Sequence, residues 1–169
     1  EERAVVDPLT KVYNRSAGRQ YIMKALSEMR PGETSVFMLL DLDHFKQLND
    51  TLGHMCGDEA LKDVAEILKS HFRRYDIVCR LGGDEFVVFI QRIPVEVLDR
   101  VITSLLKKME LVYEREGVKV AITISAGAAL VPEHGSTFEE LYEKADRALY
   151  QVKNTTRNAY KIYEELLAS

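Results

Sequence analysis

The sequence predicts a mixed α/β (α+β) domain: a central, mostly antiparallel sheet of about five strands flanked by helices, with one β-hairpin. Three observations carry this. Ser35-Val36-Phe37-Met38-Leu39-Leu40 is a continuous apolar run of strand length, which reads as a strand buried on both faces. Segments with apolar residues at helical spacing alternate with strand-like runs, so several connections are long crossovers. Arg80-Leu81-Gly82-Gly83-Asp84-Glu85-Phe86 sets two glycines between strand-like runs at 77–81 and 86–91. Glycine pairs reach positive φ without a steric penalty and so make tight hairpin turns.

The elements follow in order. Asp7-Pro8-Leu9-Thr10 is a turn. Asn14-Arg15-Ser16 leads into a helix with Tyr21, Ile22, Ala25, Leu26 and Met29 at apolar positions, ended by Pro31-Gly32-Glu33. The buried strand comes next and terminates in Asp41-Leu42-Asp43. A short helix is expected at 44–52 and a longer one at 57–73, with Leu61, Val64, Ile67 and Leu68 on one face. After the hairpin, 94–116 reads as one long amphipathic helix through Val97, Val101, Leu105 and Met109. A strand at 118–130, bent near Gly127, precedes a helix at 137–153 and a last short strand at 159–163.

At 169 residues the chain is expected to form one domain with a substantial core. Its net charge of −4 gives no basis for binding nucleic acid or an anionic membrane surface. An acidic chain that binds nucleotides must do so with metal and a few placed cations. Cys56 and Cys79 are the only cysteines and read as free thiols in a reducing, cytoplasmic compartment. No apolar run is long enough to span a bilayer. The start at Glu1-Glu2-Arg3, without an initiator Met, reads as a fragment cut from a longer signalling protein with an upstream regulatory module.

Candidate chemistry centres on carboxylates. Asp41 closes the buried strand, where side chains emerge at a sheet edge into a crevice. With Asp84 on a neighbouring hairpin it forms a carboxylate pair suited to magnesium, which takes hard oxygens and substrate phosphate; the Leu42 carbonyl adds a third oxygen. His44-Phe45-Lys46 opens a helix whose first N–H groups lack internal partners, a site for phosphate oxygens that Lys46 reinforces. Asn49 and Asp58 flank Gly53-His54 and Gly57. Either suits a helix cap. A carboxylate such as Asp58 also suits the N1–H and exocyclic amine of guanine and discriminates against adenine, and the residues alone leave both roles open. Lys153 and Arg157, spaced i, i+4, fall on one side of the chain and suit a triphosphate.

Taken together, Asp7-Pro8-Leu9-Thr10, Asp41-x-Asp-His-Phe-Lys46-x-x-Asn49-Asp50, Gly53-His54-x-x-Gly57-Asp58, Arg80-x-Gly82-Gly83-Asp84-Glu85-Phe86, Ala145-Asp146-x-Ala148-Leu149-Tyr150 and Arg157-Asn158 resemble the GGDEF domains, the diguanylate cyclases, over about residues 5–164. The resemblance implies a nucleotidyl-cyclase-like fold. It implies condensation of two GTP molecules into cyclic di-GMP, with two pyrophosphates released, at the interface of a homodimer. It assigns Asp41, the Leu42 carbonyl and Asp84 to Mg2+ (or Mn2+), two ions per active half-site. It assigns Phe45 and Lys46 to phosphate, Lys153 and Arg157 to outer phosphates, and Asn49 and Asp58, with His54 nearby, to guanine. Asp84 is the favoured base for the attacking 3′-hydroxyl, with Glu85 assisting.

Arg73-Arg74-Tyr75-Asp76 matches the family's inhibitory product site, an Arg-x-x-Asp five residues before the GGDEF string. Arg73 and Asp76 are thereby expected to bind cyclic di-GMP. Three positions depart from the family pattern. Lys11 and Thr156 stand where glycine is usual, and Ser104 stands where some relatives carry a second product-site arginine. Two other readings compete with the cyclase: a non-catalytic effector domain that binds GTP or cyclic di-GMP, and an adenylyl-type cyclase. The presence of Asp84 and Glu85 argues against the first, and Asp58 against the second.

Overall fold

The computed structural model describes residues 4–165. In chain order the elements are α1 (Arg15–Ser27), β1 (Ser35–Asp43), α2 (Phe45–Leu52), α3 (His54–His71), β2 (Ile77–Gly82), β3 (Glu85–Ile90), α4 (Val95–Lys108), β4 (Leu111–Arg115), β5 (Val118–Val131), α5 (Phe138–Lys153) and β6 (Tyr160–Ile162). The strands form one six-stranded sheet in the order β2-β3-β1-β5-β4, with β6 beside β5. Every pairing is antiparallel except β5–β6.

β1 is central because its residues are apolar on both faces, and all nine are buried. Alternation along it divides the core. Val36, Met38, Leu40 and Leu42 join the layer that holds α2, α3 and α4. Phe37 and Leu39 join the layer that holds Ile22 of α1 and Leu141, Ala145 and Leu149 of α5. The N-terminal segment adds to the sheet edge: Tyr13 donates its N–H to Val78 O (3.2 Å), and its carbonyl accepts from Arg80 N–H (2.9 Å).

The structure corrects two expectations. The helix read at 94–116 is α4 followed by a strand, β4, that pairs with Val118–Ile122 of β5. Helical spacing persists only to Met109, the C-cap. Beyond it Leu111-Val112-Tyr113 carries strand-forming residues, with Tyr113 buried and Val112 exposed. Glu116 (φ 52°) and Gly117 (φ 81°) turn the chain back. The helix read from 57 begins at His54, directly after Gly53, whose φ of 93° ends α2 and starts α3. β5 runs through Gly127 as one strand.

Gly127 serves packing. A Cβ there would lie 2.1 Å from Ala145 O and 2.4 Å from Leu149 N, so α5 rests on bare β5 backbone. Gly127→Ala must push α5 outward and is expected to cost about 1–3 kcal/mol, as overpacking does. A lowered denaturation midpoint with an unchanged slope in urea is the expected result; an unchanged midpoint contradicts the close approach.

Candidate active site

β1 delivers Asp41, Leu42 and Asp43 to one end of the sheet. Asp41 lies directly opposite Glu85, the first residue of β3. β1 then continues through Leu42 and Asp43 paired only with β5, leaving that stretch open beside the hairpin turn. The turn is Gly83-Asp84, between the paired residues Gly82 and Glu85. Gly82 (φ 146°) and Gly83 (φ 49°) take angles that side chains disfavour, and a Cβ on either would meet nothing within 4 Å. The two glycines are therefore required by backbone angle and leave open space above the turn.

Three carboxylates meet here, and each is shifted the same way. Burial raises Asp41 above the ordinary carboxylate range although the Lys153 amine holds it down and Asp43 pushes it up further. Burial and then the charge of Asp41 raise Asp84. Burial raises Glu85 too, opposed by the Tyr142 hydroxyl, which donates to Glu85 Oε1 at 2.9 Å. Lys153 Nζ stands 2.8 Å from Asp41 Oδ2. The other oxygen, Asp41 Oδ1, is buried with no hydrogen-bond partner. A buried carboxylate oxygen without a donor is costly unless a cation meets it. The donor set suits a hard divalent ion that keeps water or substrate oxygens in its remaining positions. Among the described residues no group of three or more His, Cys, Asp or Glu side chains is assembled to hold a metal.

Beside them, α2 begins at Phe45 after His44, whose φ of 67° is left-handed. No side chain caps this end, and the first backbone bond into the helix is Leu48 N–H to His44 O at 3.0 Å. The N–H groups of the first turn, at Phe45 and Lys46, are thus free of intrahelical partners. Asn49 reaches α3: its Oδ1 lies where a Cβ on Gly57 would sit, 1.8 Å away, next to exposed Asp58. His54 is exposed at the start of α3.

Lys153 and Arg157 are not helical neighbours, because α5 ends at Lys153. Arg157 lies in the following loop at φ 52° and Asn158 at φ 46°. Both positive charges still act on Asp41, lowering its pKa. Arg73 and Asp76 form a separate site. Arg73 Nε and Nη2 donate to the Asp76 carboxylate at 3.0 and 3.1 Å, and the guanidinium lies over the Tyr75 ring at 4.6 Å. Asp76 Oδ1 also accepts from Gln91 N–H at 2.9 Å.

Two positioning residues escaped the sequence reading. Arg80 donates from Nε to Gly83 O at 2.9 Å and from Nη1 to Asp7 at 3.2 Å, tying the first turn of the chain to the glycine turn. Asp43 is 1% exposed. It accepts from Thr123 and Ser125 hydroxyls at 2.6 and 2.7 Å and from Asn158 N–H at 3.0 Å. The last bond holds the left-handed Arg157-Asn158 pair. Only the register of β5 against β1 reveals this, since the partners lie far apart in sequence.

Asp43→Ala leaves those donors buried or slack and is expected to cost about 2–3 kcal/mol. Asn158→Gly, placed on top of it, removes the left-handed strain and is expected to return part of the loss. Urea unfolding of the single and double variants checks both; additive losses would contradict the pinning role.

The model of the family described as "Diguanylate cyclase, GGDEF domain" matches residues 4–159. Diguanylate cyclase DgcS of Shewanella oneidensis is 37% identical over 95% of this chain and 53% of its own length. Cyclic di-GMP phosphodiesterase NbdA of Pseudomonas aeruginosa is 36% identical over 98% of this chain and 21% of its own length. The chain thus spans about a fifth to a half of these curated relatives. Among solved structures, the GGDEF domain of DgcB from Caulobacter crescentus in complex with c-di-GMP superposes with a TM-score of 0.86 at 30% identity, covering 96% of this chain and 97% of that one. With this match in sequence and in fold, the chain belongs to the GGDEF domain family.

Proposed function

We propose that this domain is a diguanylate cyclase that condenses two GTP molecules into cyclic di-GMP. The observation that carries this reading is the Asp41–Asp84–Glu85 cluster, with its unpartnered Asp41 Oδ1, beside the uncapped start of α2. Asp41, Asp84 and the Leu42 carbonyl are the groups to hold Mg2+ or Mn2+, two ions per half-site. Bound there, the metal supplies neutralisation of phosphate charge and acidification of the attacking hydroxyl.

The chain's own residues do the rest. Phe45 and Lys46 offer main-chain N–H groups and an ammonium to phosphate oxygens. Lys153, 40% exposed, exchanges its Asp41 contact for an outer phosphate, joined by Arg157. Asn49 and Asp58 read the guanine edge, with His54 at the rim. Asp84 accepts the proton of the 3′-hydroxyl. Glu85, the next residue along the hairpin, supports it. Each domain holds one GTP, so turnover requires two copies face to face.

Cyclic di-GMP acts as an inhibitor through Arg73 and Asp76; that a GGDEF domain can bind this product is supported by the c-di-GMP complex of DgcB. We place the domain in the cytoplasm, as one GGDEF catalytic domain of a longer signalling protein with a regulatory module upstream. No helix among the described residues is long and apolar enough to cross a membrane. A second reading, a non-catalytic effector domain binding GTP or cyclic di-GMP, is favoured by relatives named for phosphodiesterase activity, such as NbdA.

Incubation with Mg2+ and GTP, ATP or both, with products identified by mass, separates these readings. Cyclic di-GMP from GTP alone is expected, at a rate per domain that rises with protein concentration. Asp84→Asn is expected to reduce it by about 10²–10⁴-fold. No turnover at high protein concentration supports the effector reading, and an adenine-containing product contradicts the role of Asp58.

A further inference from the structure

A cavity of about 340 Å3, within the range of small-molecule sites, opens between the first turn of the chain and the end of α3. Its apolar lining includes Val12 and Val78, and Lys11, Lys69, Arg73 and Arg74 surround one carboxylate, Asp76. That carboxylate is already engaged by Arg73 and by Gln91 N–H. Among the described residues Lys11, Lys69 and Arg74 stand in no ion pair. The cavity therefore carries three cations that no carboxylate neutralises, above an apolar floor.

Lys11 is the informative member. Its φ is 66°, a conformation that glycine reaches without strain and lysine does not. The turn is nonetheless held closed by Lys11 N–H donating to Asp7 O at 2.9 Å. An unfavourable backbone angle kept by a charged residue at the wall of a basic cavity points to use of the side chain. Lys69 faces the same space from the last turn of α3.

We propose that Lys11 and Lys69 form a second, phosphate-binding wall of this cavity. Arg73, held in place by the buried Asp76 carboxylate, takes the base of a cyclic dinucleotide, and the two lysines take its phosphates. One domain then holds the ligand although Ser104 stands where some relatives carry a second product-site arginine. This rests on the reading of Arg73 and Asp76 as a cyclic di-GMP site. Because Asp7 of the same turn holds Arg80, and Arg80 holds Gly83 O, the ligand bears on a turn that is tied directly to the glycine hairpin.

Calorimetric titration of the 169-residue domain with cyclic di-GMP tests the proposal. Lys11→Gly and Lys69→Ser are each expected to weaken binding about 5–10-fold, the worth of one charge-assisted contact to phosphate. Lys11→Gly is also expected to raise the melting temperature by about 2–4 °C, since glycine relieves the left-handed angle, so weaker binding cannot be laid to unfolding. Light scattering at saturation is expected to give the mass of one chain. If Arg73→Ala abolishes binding while both lysine variants bind like the parent, the lysine wall is overturned and the underlying reading stands. If the parent itself does not bind, both are overturned.

Discussion

The constraint on which the rest depends is the crowding of carboxylates at the buried end of β1. That strand is covered on both faces, so Asp41 reaches the sheet edge with little water around it. Antiparallel pairing then puts Glu85 directly across from it, and the glycine turn presents Asp84 beside both. Like charges opposite one another on a sheet destabilise it, and burial magnifies the effect. Burial is the main cause that raises all three acids, with the charge of Asp43 adding to it at Asp41 and the charge of Asp41 adding to it at Asp84 and Glu85. Lys153 meets one oxygen of Asp41 and leaves the other bare. The fold thus holds a locally unfavourable arrangement that a bound cation would relieve.

The surrounding structure keeps that arrangement rigid. Gly127 lets α5 lie against β5, which fixes where Lys153 emerges. Asp43, one residue pair beyond Asp41 and on the same face, spends its charge on Thr123, Ser125 and Asn158 and so anchors the loop that carries Arg157. Arg80 fixes the carbonyl of Gly83 from the far side of the hairpin. Two neighbouring aspartates in one Asp-x-Asp string therefore do different work: Asp41 is left under-satisfied at the site, and Asp43 is fully used in holding the site's border.

Much of this was legible in the sequence because local rules agreed with the tertiary answer. An apolar run without alternation gave the central strand, paired glycines gave the hairpin, and Asn14 gave the start of α1, where its side chain accepts from Ala17 N–H. The family resemblance supplied the residue roles, and the observed fold supports the family. What was not legible depends on partners distant in the chain. The reading of 94–116 as one helix carries the helical spacing of α4 past its C-cap at Met109, over the short strand-forming run Leu111-Val112-Tyr113 that pairs with β5. The i, i+4 spacing of Lys153 and Arg157 places them on one side of the chain, but α5 ends at Lys153, so the loop and not the helix sets where Arg157 lies. The contacts of Asp43 and Arg80 follow from strand register, which short-range pattern does not reveal.

The central claim is that the acids of the site cost folding stability until a cation neutralises them. Their folded pKa values lie above the unfolded ones, so ionisation is harder in the fold. Stability is gained as pH falls through that interval and is fully withheld above it. Thermal unfolding of the parent and of Asp84→Asn, with and without magnesium, measures this directly. In metal-free buffer near pH 7.5 the variant is predicted to be more stable by about 1 kcal/mol, or roughly 2–4 °C, with the gap closing as falling pH protonates the raised acids. Magnesium is predicted to raise the melting temperature of the parent and to leave the variant nearly unmoved. A parent that is as stable as the variant near neutral pH, and indifferent to magnesium, would contradict the account.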